Sequence, residues 1–136
     1  MTLWMGGFGG VIDGSPPWLL YHKTSDFLDP GPSMTMVLRD DREDSPHVGN
    51  FWVDMTGFPD KPAALTFVDD LPGSYHQRAA GVSYTDGHSE LHRWVDSRTM
   101  PPIQKGKYLV PPQSFLPSPN NRDIMWLQER ATRKIK

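Results

Sequence analysis

The pair Asp86-Gly87 lies between two runs of alternating apolar and polar residues, the strongest short-range indication of a β-hairpin. A two-residue type I′ loop at this pair places Val82, Tyr84 and Leu91 on one face, toward the core. Val82 then stands opposite Leu91. The other face of the predicted hairpin is polar and carries Ser83, Thr85, His88, Glu90, His92 and Trp94.

The polar face carries a candidate site for a transition metal. His88, Glu90 and His92 stand two residues apart along one strand, so their side chains point the same way. Imidazole and carboxylate groups suit zinc or another first-row metal, which predicts a metal-dependent binding or hydrolytic module. The alternative is a solvated sheet face, because a flat strand spaces such residues ~6.5 Å apart and needs extra curvature to bring three ligands together.

A second candidate metal site lies in the acidic run that follows the apolar segment 34–38. Asp40, Asp41, Glu43 and Asp44 supply the hard oxygen ligands that Ca²⁺ prefers, which makes Ca²⁺ the candidate cofactor. The run lacks the glycine and the closing glutamate of an EF-hand loop. A solvated loop with weak internal ion pairs is the alternative, since two arginines accompany the acids.

Composition indicates a single loop-rich domain of the α+β class over residues 1–136. The 14 prolines and 12 glycines interrupt an apolar content of 37%, which argues against a helical bundle. We expect a three- to four-stranded antiparallel sheet with a short C-terminal helix. The predicted elements are a Gly/Pro-rich segment at 1–20, a hairpin of strands 34–38 and 49–55, a Pro-rich surface loop at 99–119 with an edge strand at 108–110, and a helix at 122–134 capped by Asn120 or Asn121.

Charge and residue content exclude several classes of function. The formal net charge of −2 gives no electrostatic basis for nucleic-acid binding, and the absence of cysteine excludes disulfides and cysteine-bound zinc. No apolar run reaches the ~20 residues of a membrane span. We do not expect an enzyme, because Ser74 and His76 do not by themselves form a nucleophile–base contact and no nucleophile elbow or phosphate loop accompanies them.

His76, nine intervening residues and then Asp86-Gly87 form an H-x9-DG pattern, and further segments follow it in order. Together these segments resemble bacterial prepilin-like proteins, relatives of type II secretion pseudopilins and type IV pilins, over residues 20 to 134. The segments that carry the resemblance are 70–76, 86–94, 97–102 and 118–130.

The resemblance implies the globular domain of a structural subunit that assembles with other pilin-like subunits or secretion components, in the cell envelope or at the cell surface. His76 would then support the hairpin, and a calcium loop would match the major pseudopilins. The leader and long apolar helix of such proteins are not in the sequence, so we expect that the helix was removed, lies upstream or was lost. A stand-alone extracytoplasmic binding domain is a further alternative.

Overall fold

The computed structural model describes residues 1–6, 18–45, 49–68, 70–108 and 115–135. Its elements are β1 (Met36–Arg39), β2 (Thr66–Val68), β3 (Ala79–Tyr84), β4 (Ser89–Arg93), β5 (Phe115–Pro117) and α1 (Arg122–Gln128), with three short 3₁₀ turns. All strand pairs are antiparallel: one sheet has the order β1-β3-β4, and β2 pairs with β5 in a second sheet. The predicted α+β class, with a small antiparallel sheet and a C-terminal helix, is confirmed.

The β3–β4 hairpin closes through a three-residue loop, Thr85-Asp86-Gly87, instead of the predicted two-residue loop. Gly87 has a φ of 92°, but Asp86 is not among the residues with positive φ, which a type I′ loop requires at both positions. The Gly87 amide donates to the Tyr84 carbonyl and the Tyr84 amide donates to the His88 carbonyl, each at 3.0 Å. The glycine therefore supplies a bulge that ends the turn.

The longer loop shifts the strand register by one residue. Val82 faces Glu90, so the predicted pairing of Val82 with Leu91 is wrong. Because a one-residue shift turns every side chain of a strand to the other face, Glu90 and His92 share a face with the buried Val82 and Tyr84. Leu91, predicted to be core, lies on the opposite face and is 65% exposed.

The predicted hairpin between 34–38 and 49–55 is also wrong, because β1 pairs with β3. Segment 49–55 contains no strand, and Phe51 makes a single parallel bridge to Thr2. The predicted alternation of side chains within the segment is nevertheless confirmed, because every second side chain is buried. The buried residues are Phe51, Val53 and Met55.

The buried apolar side chains form one cluster that joins the three-stranded sheet, the first residues of the chain and α1. Trp4 and Trp94 are its largest fully buried members. The Trp4 indole N–H donates to the Val53 carbonyl at 3.0 Å, and the Trp94 indole N–H donates to the Gly73 carbonyl at 2.8 Å. Both indoles are thus buried without an unpaired donor.

Helix α1 begins as predicted and ends earlier than the predicted 122–134. Beyond Gln128 the backbone bonds with distant segments: the Met36 amide donates to the Arg130 carbonyl at 2.9 Å. The Leu19 amide likewise donates to a carbonyl of the same C-terminal segment at 2.8 Å. Tertiary hydrogen bonds therefore stop a helix that the sequence alone allows to continue.

The predicted Pro-rich loop 99–119 contributes two ordered pieces. A 3₁₀ turn spans Ser97–Thr99, and residues 115–117 form β5 against β2. Tyr108 is exposed and belongs to no strand, while positions 109 and 110 of the predicted edge strand lie outside the described residues. Positions 7–17 of the predicted Gly/Pro-rich segment lie outside them too.

Asn121, one of the two predicted caps, is the N-cap of α1. Its Oδ1 accepts hydrogen bonds from the amides of Asp123 at 2.9 Å and Ile124 at 3.3 Å. Its Nδ2 donates to the hydroxyls of Ser118 and Thr99, so a fully buried side chain joins the helix to two loops. The cap is thereby also a tertiary contact.

We expect Asn121→Ala to lower the free energy of unfolding by about 1–3 kcal/mol, because it removes the cap and leaves buried groups unpaired. Asn120→Gly is the matched control, since Asn120 is exposed with a φ of 58° and glycine accepts that conformation. Urea denaturation measures both variants. Equal losses of stability in the two variants would contradict the assigned cap.

Candidate functional site

The motif residue His76 begins a tight turn immediately before β3. Gln77 and Arg78 have φ of 53° and 70°, and the Ala79 amide donates to the His76 carbonyl at 3.2 Å. Two successive positive φ values are typical of a type I′ turn, so the conformation predicted for Asp86-Gly87 occurs here instead. His76 thus helps to build the entry to the strand.

Asp40 links this turn to the sheet. Its Oδ2 accepts from the Gly81 amide at 2.7 Å and lies 3.4 Å from Nε2 of His76. A Cβ at Gly81 would lie 3.1 Å from the same oxygen, so glycine allows the close approach. The carboxylate of Asp40 is therefore engaged with the backbone of β3 and with the imidazole.

We define the polar hairpin face as Tyr84, His88, Glu90 and His92. His88 Nδ1 lies 2.6 Å from Asp86 Oδ1, and the imidazole stacks on Tyr84 with ring centroids 4.2 Å apart. The Tyr84 hydroxyl donates to Glu90 Oε1 at 2.5 Å. Burial raises the pKa of the Tyr84 phenol and the adjacent Glu90 carboxylate raises it further, so Tyr84 stays a neutral donor.

His92 contacts α1 and the nearby Trp94, not the other members of the polar hairpin face. Its imidazole stacks on the Trp126 indole with centroids 3.5 Å apart and meets Trp94 edge-on at 4.8 Å. The guanidinium of Arg130 also lies over Trp126, at 4.1 Å. Burial lowers the pKa of His92, an effect that Asp123 opposes, Arg130 reinforces and Glu90 opposes.

The three residues of the transition-metal hypothesis are thus held in three different contacts. His88 pairs with Asp86, Glu90 accepts from Tyr84, and His92 stacks on an indole. Within the described ranges, no group of three or more histidine, aspartate or glutamate side chains is arranged to hold a metal ion. The structure brings these residues to one face but gives each its own partner.

The acidic run is held mainly by an internal ion pair. Arg42 donates from Nε and Nη2 to the two carboxylate oxygens of Asp44, each at 2.8 Å, and neither side chain is exposed. Asp44 also accepts from the Gln104 amide at 2.7 Å, and Arg42 donates to the Pro101 carbonyl at 2.7 Å. The bonds from Arg42 and from the Gln104 amide lower the pKa of Asp44, the largest effect coming from Arg42.

The other members of the proposed calcium set differ in their surroundings. Asp41 Oδ1 accepts from the Arg42 amide at 3.0 Å, and Glu43 is exposed. Asp40, as described above, is bonded to Gly81. The set is therefore a loop fastened by its own side chains, and calcium binding by it stays a prediction.

Sequence reasoning missed two of the three residues that organise this region. Trp126 and Arg130 complete the polar hairpin face, and Arg42 fixes the acidic run. The four-residue spacing of Trp126 and Arg130 on a helix was a usable signal, because such residues are neighbours on a helix surface. An ion pair within the acidic run was the predicted alternative to calcium, but that alternative was a solvated loop, whereas Arg42 and Asp44 form a buried pair.

Comparison of the chain with protein-family models, with curated proteins and with solved structures gives no match. In the part of the chain that the structure describes, no helix is both long enough and apolar enough to cross a bilayer.

We expect Asp44→Asn to destabilise the protein by about 3–5 kcal/mol, because Arg42 would stay buried without its counter-charge. Glu43→Gln is the control, since it removes a charge from the same run at an exposed position and should change the stability by less than about 0.5 kcal/mol. Chemical denaturation at neutral pH compares the two. Similar stabilities of both variants would show that the ion pair is not required.

We expect the free energy of unfolding to decrease as the pH is lowered, because His92 becomes protonated. Because the pKa of His92 is lower in the folded state, its full contribution to the free energy of unfolding is present above the unfolded-state pKa of about 6.5. That contribution is lost as the pH falls from there toward the folded-state pKa, because the unfolded state binds the proton first. His92→Phe keeps an aromatic ring against Trp126 and should flatten this part of the pH profile. The exposed His22→Gln serves as control and should leave the slope unchanged; equal slopes in wild type and His92→Phe would contradict the prediction.

Proposed function

We propose that this chain is the globular domain of a pseudopilin-like or prepilin-like structural subunit, which serves a type II secretion or type IV pilus-like assembly. The ordered segments around His76 and Asp86-Gly87 support the family assignment, and the small α+β fold is compatible with it. In this proposal the protein acts in the cell envelope by surface recognition, without a chemical step. Its partners are other pilin-like subunits or secretion components.

The observation that carries the proposal is the outward side of the three-stranded sheet. We define the outer sheet face as Leu38, Gly81, Ser83, Ser89 and Leu91, which the strand register places on one side. Leu38 is 51% exposed and Leu91 is 65% exposed, while the carboxylate of Asp40 lies against Gly81 and the exposed Arg93 follows Leu91 on the same side. Exposed apolar side chains on a sheet face suit contact with a neighbouring subunit.

The position of β4 supports the same kind of contact. Among the described residues β4 pairs with β3 alone, so its outer edge offers backbone groups to another strand. The charged side chains Glu90 and Arg93 on this strand limit pairing with arbitrary strands and favour a partner of matching charge. The edge and the outer sheet face are continuous through Leu91.

The motif residues support a structural role because their polar atoms are used within the fold. His76 lies against Asp40, and Asp86 Oδ1 accepts from the His88 amide at 3.1 Å within the hairpin loop. The metal-dependent alternative would require His88, Glu90 and His92 to leave their present contacts. Zinc bound in equal molar amount to protein purified without chelator would favour that alternative over the subunit proposal.

The absence of cysteine allows a direct test by single-cysteine cross-linking. The chromosomal gene of the source organism would carry Leu91→Cys on the outer sheet face, or Arg122→Cys at an exposed position of α1 as control. We expect a bismaleimide reagent to produce dimers and larger species in the envelope fraction from Leu91→Cys, several-fold more than from Arg122→Cys. The proposal fails if Leu91→Cys stays monomeric or if both positions cross-link equally.

A further inference from the structure

A cleft with aromatic walls lies apart from the polar hairpin face and the outer sheet face. It has a volume of about 370 Å³, within the range of ~300–1,000 Å³ that is usual for small-molecule sites. Trp4 and Met55 are among the buried residues that line it. We define the aromatic cleft by its more accessible residues, which are Trp18, Trp52, Phe58, Asp60, Lys61 and Lys134.

The aromatic rings of the cleft are only partly covered. Trp18, Trp52 and Phe58 pack against the core cluster but keep part of each side chain exposed, whereas Trp4 is fully buried. Trp18 and Phe58 meet edge to face with centroids 6.1 Å apart, so their faces point in different directions. The negative face of an aromatic ring attracts positively polarised C–H bonds, as well as cations.

The charges around the cleft balance. Asp54 and Asp60 oppose Lys61 and Lys134, so the lining carries two groups of each sign and favours neither an anion nor a cation. Lys134 Nζ lies over the Trp18 ring, 5.6 Å from its centroid, so one face of this ring carries an exposed hydrogen-bond donor. Carboxylates and ammonium groups around aromatic surface suit a neutral ligand that has both hydroxyl groups and C–H faces.

The turn on one side of the cleft is held in place before any ligand arrives. The Lys61 amide donates to the Gly57 carbonyl at 2.7 Å, and the Phe58 amide donates to the Met55 carbonyl at 3.1 Å. Gly57 has a φ of 85°, and a Cβ there would lie 2.5 Å from the Lys61 carbonyl oxygen. Asp54 accepts hydrogen bonds from the hydroxyls of Thr56 and Thr66 and so fixes the start of the turn.

We propose that the aromatic cleft binds a neutral saccharide. A sugar ring presents C–H bonds on its faces and hydroxyls at its edge, which matches aromatic walls with polar groups of both signs at the rim. The rings of Trp18 and Trp52 stack on the sugar, while Asp60 and the two lysines hydrogen-bond its hydroxyls. This binding activity goes beyond the subunit proposal and does not depend on it, since the cleft is separate from the outer sheet face.

The test titrates the purified chain with cellotetraose, maltotetraose and the tetramer of N-acetylglucosamine. Calorimetry and tryptophan fluorescence follow binding, and at least one of these sugars should saturate the protein with a Kd below about 1 mM. Trp18→Ala should weaken that affinity about tenfold or more, because it removes a stacking surface. Phe115→Ala is the control, since Phe115 is an exposed aromatic residue outside the cleft and should leave the affinity unchanged.

A second variant keeps the test decisive if Trp18→Ala unfolds in a thermal scan. Asp60→Ala changes an exposed residue at the rim and should also weaken binding, while the melting temperature stays close to that of wild type. The proposal is overturned if none of the three sugars saturates the protein, or if binding survives in every folded cleft variant. Binding of a proline-rich peptide at the cleft, together with no detectable binding of any of the three sugars, would likewise overturn it.

Discussion

Asp123 accepts hydrogen bonds from the amides of Val95 and Asp96, at 2.9–3.2 Å, and it is itself buried in the first turn of α1. This arrangement illustrates the constraint on which the whole structure depends. A chain with short strands and long connections buries many backbone groups that no strand pairs, and each unpaired group costs stability. Polar side chains therefore have to enter the interior and supply the missing partners.

The same device recurs across the described residues. Asp40 accepts from the Gly81 amide, Asp44 accepts from the Gln104 amide, and Asp70 accepts from the Trp52 amide at 2.8 Å. Gln128 donates to the backbone carbonyls of Asp54 and Thr56, two residues that line the aromatic cleft. These polar side chains thus hold loops of the described residues together.

The sequence predicted local features that short-range physics controls. The Asp-Gly pair predicted the hairpin, Asn121 predicted the start of α1, and alternation predicted which side of 49–55 is buried. It did not predict the loop length at Asp86-Gly87, because two- and three-residue loops accept the same pair. A one-residue error at that loop sent His88, Glu90 and His92 to the wrong face and made Leu91 a core residue.

Sequence by itself therefore determined the fold class, the hairpin and the helix cap, since each follows from turn chemistry, capping or periodicity within a few residues. Tertiary structure decided which strands pair, where α1 ends, and which partner each polar side chain takes. Bonds such as that from the Met36 amide to the Arg130 carbonyl join residues far apart in the chain, and no local pattern encodes them. The aromatic cleft has the same origin, because its walls come from four separate stretches of sequence that only the folded chain brings together.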